Sequence, residues 1–316
     1  MSKHDPSDPI YTDANAARAH LEGLLWPDGP VCPRCGAVNE ATLLKGKSTR
    51  PGVWNCRPCD KPFTVTVGTI YEDSKIPLNK WVYATHLMTA SKKGISAAQL
   101  HRMLGFGSYR TAWFMAHRIR EAMTGSSSGP MGGEGGIVEA DETYYGRSNQ
   151  APIHKPRRAS KKPHKDQRPK RAVVALVERG GNARVFHVAS ADKETVAKIV
   201  TENVHPLSRL HTDESRLYVG ADAHTATHET VKHSAGEYAR QDVHTNSAEG
   251  FFGVFKKGMT GVYQHCGEKY LARYLTEFEF RHNTRAKLGF NDGDRATLAI
   301  KGAQGKRLTL RQPQGV

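Results

Sequence analysis

Apolar residues recur at helical spacing over residues 13–26, with Asp13 placed to cap the first turn. The character changes over 53–71, "VWNCRPCDKPFTVTVGTIY", where Val, Thr and aromatic residues predict strands. From 78 to 123 the pattern is helical again. "LNKWVYATHLMTASKKG" forms one helix, "ISAAQLHRMLG" a second from near Ser96, "FGS" a tight break, and "YRTAWFMAHRIREAM" a third. Short helix, glycine-containing turn and basic helix is a helix-turn-helix layout. On the third helix Ala112, Ala116, Ile119 and Met123 set an apolar side, against a basic side of Arg110, His117, Arg118 and Arg120.

"TGSSSGPMGGEGG", residues 124–136, is a Gly/Ser linker and the clearest boundary. Beyond it strands are predicted at 137–145, 171–178, 183–189, 208–212 and 239–244, and helices at 191–204, 246–257 and 267–282. In the helix at 246–257, Ala248, Phe251, Val254 and Phe255 face one way. Asn246, Glu249, Gly253, Lys256 and Lys257 face the other, so this helix buries aromatics and offers a carboxylate and an ammonium together.

Charge sharpens the picture. Lys plus Arg number 46 against 31 acids in 316 residues, a net charge of +15, which points to a polyanionic partner, most simply nucleic acid. The basic third helix is then an expected DNA contact through Arg110, Arg118 and Arg120. A stretch at 147–171, "RSNQAPIHKPRRASKKPHKDQRPKR", holds ten Lys or Arg, one acid and four prolines. It is expected to be a loop or arm touching phosphates, through Arg157, Arg158, Lys161 and Lys162 among others. The polar start "MSKHDPSDPIYTD" shows no signal-peptide core, and no apolar run approaches a membrane span.

Four of the five cysteines fall in two C-x-x-C pairs, Cys32 with Cys35 and Cys56 with Cys59, with twenty residues between the pairs. Each pair aims two thiolates at one point, and two such knuckles close a tetrahedron around one structural Zn²⁺. The fifth, Cys266, reads as a small apolar residue. His224 and His228, with His233 and His244 nearby, are expected to bond backbone or phosphate rather than zinc.

The acids suggest a second, different metal site. In "GIVEADETYYG", Glu139 and Asp141 share one face of a strand that begins apolar. In "SRLHTDESRLY", Asp213 sits at a strand tip, with Asp222 in the following loop as the alternative. Thirty-five residues separate Asp213 from Glu249, and Lys256 follows Glu249 by two helical turns. Asn246, one turn before Glu249 on the same face, is the alternative third residue.

These stretches, in the order "WPDGPVCPRCG", "VEADETYYG", "TDESRLY", "VHTNSAEGFFGVFKKGMTGVYQH" and "YLTEFEFRHN", carry a resemblance over nearly the whole chain. It resembles the DDE transposases of the ISXO-like insertion-sequence group. The resemblance implies a multidomain α+β protein: a zinc ribbon with leading helix (10–70), a helix-turn-helix-like segment (71–124), a linker (125–136), an RNase H-like catalytic domain (137–284) with the basic insertion, and a basic C-terminal tail (285–316). It implies Asp141 and Asp213 as the first two catalytic acids, with Glu249 or Asn246 third. Two Mg²⁺ ions, or Mn²⁺, are expected at Asp141, Asp213 and Glu249. The implied activity is hydrolysis at transposon ends, followed by transfer of the 3′-hydroxyl into target DNA. The alternatives are a non-catalytic DNA-binding regulator, or an RNase H-like nuclease without strand transfer. Lys256 and Lys257 are expected to contact DNA. A dimer or larger assembly and a cytoplasmic, nucleoid-associated setting are also expected.

Overall fold

The computed structural model describes residues 5–125, 129–147 and 170–309. The chain folds as two compact units, one of residues 1–126 with 284–316, the other of residues 127–283.

The first unit opens with helices α1 (Pro9–Thr12) and α2 (Ala14–Leu25), the latter capped by the Asp13 carboxylate accepting from Asn15 N–H. A small antiparallel ribbon follows, with strands β1 (Ala41–Leu43), β2 (Trp54–Cys56) and β3 (Pro62–Phe63) in that spatial order. The expected strand region ends earlier than its composition suggests, because residues 64–74 are a succession of turns. Thr66, Thr69 and Ser74 spend their hydroxyls and carbonyls on those turns: Thr69 Oγ1 donates to Thr66 O, and Ser74 Oγ accepts from Ile76 N–H.

Helices α3 (Leu78–Ala90), α4 (Ala97–Met103) and α5 (Tyr109–Ala122) form where the pattern puts them. Ser96 and Ser108 cap the second and third, accepting from Gln99 and Arg110 N–H. The segment at 285–316 is not simply a tail. Helix α9 (Asp292–Lys301), opened by an Asn291–Asp294 capping box, packs on α3 and also touches α2 and α5. Past it, Lys306 Nζ donates to the carbonyls of Ala122 and Thr124 at the end of α5, and Gly305 N–H donates to Gly68 O. The buried residues Ala296, Ala299 and Ile300 give the segment the apolar stripe that a solvated tail would lack.

The second unit is built on a five-stranded mixed sheet. Its strands are β4 (Ile137–Arg147), β5 (Lys170–Glu178), β6 (Ala183–Val188), β7 (Arg209–Asp213) and β8 (Thr227–Val231), ordered β6-β5-β4-β7-β8. The first three pair antiparallel; β7 runs parallel to β4, and β8 parallel to β7. Central, antiparallel, antiparallel, then two parallel strands on the other side is the RNase H-like arrangement. Residues 172–177 of β5 are all buried, the continuous apolar run of a strand covered on both faces. Helix α6 (Lys193–Asn203) covers one face through Val196, Ile199 and Val200, over Val138, Ala140, Val174 and Leu176. Helices α7 (Asn246–Gly258) and α8 (Leu271–Asn283) cover the other, with Phe251, Phe252, Phe255 and Phe278 against Val173, Ala175 and Val177.

One predicted strand is misplaced. The fifth strand is Thr227–Val231, not 239–244. Val231 is fully buried and in register with Asp213, whereas residues 239–242 are exposed and lead into α7 through an isolated Arg240–Val243 bridge. The basic insertion, with Arg157, Arg158, Lys161 and Lys162, lies outside the described residues.

Candidate active site and zinc centre

The cysteines converge as their spacing predicts. Cys32 Sγ lies 3.7 Å from Cys59 Sγ, and Cys35 Sγ lies 3.5 Å from Cys56 Sγ. These separations are far longer than a disulfide bond of about 2.05 Å. They match the edge of a tetrahedron whose corners lie ~2.3 Å from a central Zn²⁺, which is roughly 3.8 Å. Gly36, at φ 76°, closes the first knuckle by donating its N–H to Cys32 O, in a conformation that a Cβ would strain. The ribbon's own core is small: Cys32, Cys56 and Phe63 are its buried members, flanked by Trp26 and Trp54. So little apolar burial leaves a need for metal to hold the module together. Four thiolates and no open position make this a structural centre.

The acids are brought together by sheet register. Ile137, Val138 and Glu139 pair with Arg209, Leu210 and His211, an offset of 72. Asp141 and Asp213 each stand two residues beyond the last pair of that ladder, on neighbouring strands. The ladder stops at Glu139–His211, so the strands part at the level of the two acids. Asp141 Oδ1 accepts from Glu142 N–H at 2.8 Å, and Asp213 Oδ1 accepts from Ser215 N–H at 3.0 Å. The Asp141 carboxyl is pushed up to about 7, by burial first, then by the negative charges of Glu142 and Asp213 and, more weakly, of Glu249. A carboxylate whose strongest charged neighbours are all carboxylates is a donor set suited to hard divalent cations. Among the described residues only the four cysteines bring three or more ligand atoms within 4.8 Å of one another, so the acids are more widely spread than a single-ion cage.

Helix α7 carries Glu249 and its alternative, Asn246. Asn246 is its first residue, and both Asn246 and Glu249 are exposed, as are Lys256 and Lys257. Phe251, Phe252 and Phe255 are buried beneath them, the division the helical wheel predicts. Glu249 Oε1 accepts from Thr245 Oγ1 at 3.3 Å and lies 3.7 Å from His233 Nε2.

Several residues escaped the sequence reading. Glu139 is fully buried and faces neither solvent nor an open site. It accepts from Ser247 N–H, Ser247 Oγ and Ala248 N–H at the start of α7, and is paired with Arg179 at 2.8 Å. Glu142 projects to the α6 side, where Tyr218 Oη donates to it at 2.9 Å and Ser215 Oγ at 3.3 Å. Its carboxyl is also raised, mainly by burial, with Tyr218 opposing and Asp213 adding to the shift. Ser215 therefore spans Asp213 and Glu142, donating its N–H to one and its O–H to the other. The adjacent acids in "ADET" and the serine in "TDES" were the available signals. Of the histidines, His228 Nε2 lies 2.9 Å from Thr212 Oγ1, and His244 Nδ1 lies near Arg179 and Glu139. Asp222 falls in a short 3₁₀ turn, Ala221–His224, rather than at a strand end.

The basic face read onto α5 is partly corrected. Arg110 is exposed, but Arg118 and Arg120 are buried. Helix α5 touches α3, α4 and α9, so more than its apolar stripe is covered. Arg118 donates to Glu72 O at 2.6 Å, and its guanidinium lies 5.3 Å from the Trp81 ring centroid.

A zinc-ribbon unit joined to an RNase H-like sheet with acids at its parted strands defines a class of DNA-processing protein. Residues 134–283 match the ISXO2-like transposase domain, and residues 12–62 match the transposase zinc-ribbon domain. An uncharacterized protein in transposable element ISH50 of Halobacterium salinarum is 27% identical over 290 residues, covering 89% of this chain and 95% of that relative. Both the zinc-ribbon segment and the five-stranded-sheet domain thus match domains of insertion-sequence transposases. Among the described residues, no helix is long and apolar enough to cross a membrane.

Proposed function

We propose that this transposase cuts phosphodiester bonds at its element's ends and joins the freed 3′-hydroxyl to target DNA, using Asp141, Asp213 and Glu249 as ligands for Mg²⁺ or Mn²⁺. The observation that carries this reading is the proximity of the two acids: each stands two residues past the last pair of neighbouring parallel strands, and the charge of Asp213 raises the Asp141 carboxyl. Two bound ions would activate the attacking oxygen and stabilise the departing one. Asp141, on the central strand, would hold the ions together with Asp213 and Glu249, whose charges reach it. Glu249 is favoured over Asn246 because it contributes to the negative field at Asp141 and because a carboxylate binds Mg²⁺ better than an amide.

The protein's own groups do the positioning. Backbone N–H donors from Glu142 and Ser215 fix one oxygen of each aspartate and leave the other for a cation. Exposed Lys256 and Lys257, two turns along α7, suit the phosphates flanking the cut bond, as does exposed Arg110 on α5. The insertion's Arg157, Arg158, Lys161 and Lys162 add sequence-independent phosphate contacts. Holding two ends requires a dimer or larger assembly.

The test is cleavage of DNA carrying the element's terminal sequence, in Mg²⁺, by Asp141→Ala and Asp213→Ala. Both are expected to lose cleavage and strand transfer while retaining DNA binding. Cleavage retained by either variant would overturn the assignment.

A further inference from the structure

The turn between β8 and α7 is tied to Glu214, the neighbour of Asp213, and faces Glu249, and it presents an aromatic ring to solvent. Ser234 donates both its N–H and its Oγ–H to Glu214, the residue after Asp213, at 2.9 and 2.8 Å. His233, one residue earlier, faces Glu249. The turn is closed by Ala235 N–H and Glu237 N–H donating to Lys232 O, by Gly236 N–H donating to His233 O, and by Lys232 N–H donating to the Glu237 carboxylate. On this braced turn Tyr238 is 65% exposed, with its ring against that of His233 at 5.3 Å and 70°. Tyr238 is the most exposed large apolar side chain described, yet it is neither on a floppy loop nor covered by its own unit.

We infer that Tyr238, backed by His233, is a stacking platform for an unpaired nucleobase next to the phosphate that the acids act upon. This rests on the function proposed above. An aromatic face gains from a base only when that base is free of its neighbours in the duplex, so the ligand is an unstacked base at a frayed or nicked end. The polar surroundings fit a strand passing by: Lys232 and Arg240, which flank Tyr238 in sequence, are exposed, Arg240 also reaching Glu237 at 3.6 Å. Stacking of this kind tolerates any base, because every base has a π-face.

The experiment uses the full chain and two DNA probes carrying the element's end, one fully paired and one with its terminal bases unpaired and containing 2-aminopurine. Binding is measured in Ca²⁺, and cleavage separately in Mg²⁺. Wild type and Tyr238→Phe are expected to quench the 2-aminopurine and to bind the unpaired probe alike. Tyr238→Ala is expected to lose the quenching and roughly five- to tenfold of that affinity, with binding to the paired probe unchanged. Absence of quenching by wild type, equal quenching by the alanine variant, or an equal loss on both probes overturns the platform. Because binding is read without cleavage, a wild type that quenches but does not cut refutes the proposed activity and leaves the base-binding site standing.

Discussion

Glu139 Oε2 accepts a hydrogen bond from Ser247 N–H at 2.6 Å, which ties the strand bearing Asp141 to the first turn of the helix bearing Glu249. The same carboxylate takes Ala248 N–H and Ser247 Oγ and is paired with Arg179, whose Nη1 donates to Asp242 O and whose Nη2, besides Glu139, donates to His244 O just before the helix. Negative charge at a helix N-terminus is favourable, and here it is buried, so the attachment is stiff. With five donors already on it, Glu139 has no lone pairs left for a cation. It positions the helix, and in the proposed function Asp141, two residues on, would hold the cation. Glu139→Gln is expected to fold, keep its DNA affinity and lose roughly 10- to 100-fold in single-turnover cleavage, the scale of a small misplacement of a reacting group. Glu139→Ala strands Arg179 and is expected to cost about 3–5 kcal/mol of stability. Wild-type cleavage by the glutamine variant would show that α7 needs no such anchor.

Glu249 and Asn246 make different predictions although both start α7 and both are exposed. If Glu249 is the third ligand, Glu249→Ala abolishes Mg²⁺-dependent cleavage, and Asn246→Ala slows it by tenfold or less. Titrating Mg²⁺ and Mn²⁺ against each variant separates the two, since loss of a ligand raises the metal concentration needed for half-maximal rate. The reverse ranking would transfer the role to Asn246.

The zinc centre predicts a local collapse. Cys56→Ser or Cys32→Ser is expected to remove one tightly held zinc per chain, read by metal analysis, and to unfold the ribbon. Structural zinc contributes of the order of 10 kcal/mol to modules this small. Chelation of the wild type should do the same, and should leave the far-ultraviolet signature of the second unit in place, because that unit's core contains no ribbon residue. Wild-type protein without bound zinc would refute the centre.

Arg110 and Arg118 lie on the same helix and should behave in opposite ways. Arg110→Ala is expected to weaken DNA binding and reduce its salt dependence by about one ion. Arg118→Ala should instead lower thermal stability, because it removes the hydrogen bond to Glu72 O and the contact over Trp81 while leaving the exposed surface alone. A large, purely DNA-binding defect in Arg118→Ala would mean that α5 presents a different face than it does here.

What was readable in the sequence, and what was not, follows from how local each signal is. The cysteine spacing, the Asp13 cap, the start of α4 near Ser96 and the wheel of α7 depend on neighbours within a few residues, and all are met in the structure. Asp141 and Asp213 stand out in the sequence because a strand that begins apolar and then carries an acid is unusual. Glu139 stood beside them with the same appearance, and only the approach of Ser247, 108 residues later, distinguishes an anchor from a ligand. The burial of Arg118 and the capture of residues 292–301 by α3 are likewise long-range events that no local period encodes. The misplaced last strand shows the same limit, since Thr227–Val231 is a strand because β7 offers it an edge.

Glu279 on α8 gives a stability prediction that depends on pH. Its carboxyl is pushed up to about 7 by burial, opposed by Val185 N–H, which donates to it at 3.0 Å, and by the charge of Arg184. The folded pKa lies above the unfolded value, so the folded state binds more protons between about 4.5 and 7. Stability from this group is therefore complete below about 4.5 and is lost as pH rises through that window. Glutamine keeps an acceptor for Val185 and never ionises. Glu279→Gln is thus expected to melt close to wild type at pH 4.5 and progressively above it as pH approaches 8, in paired thermal melts at each pH. A difference that shrinks with rising pH would reverse the sign and show that Arg184 outweighs burial at this site.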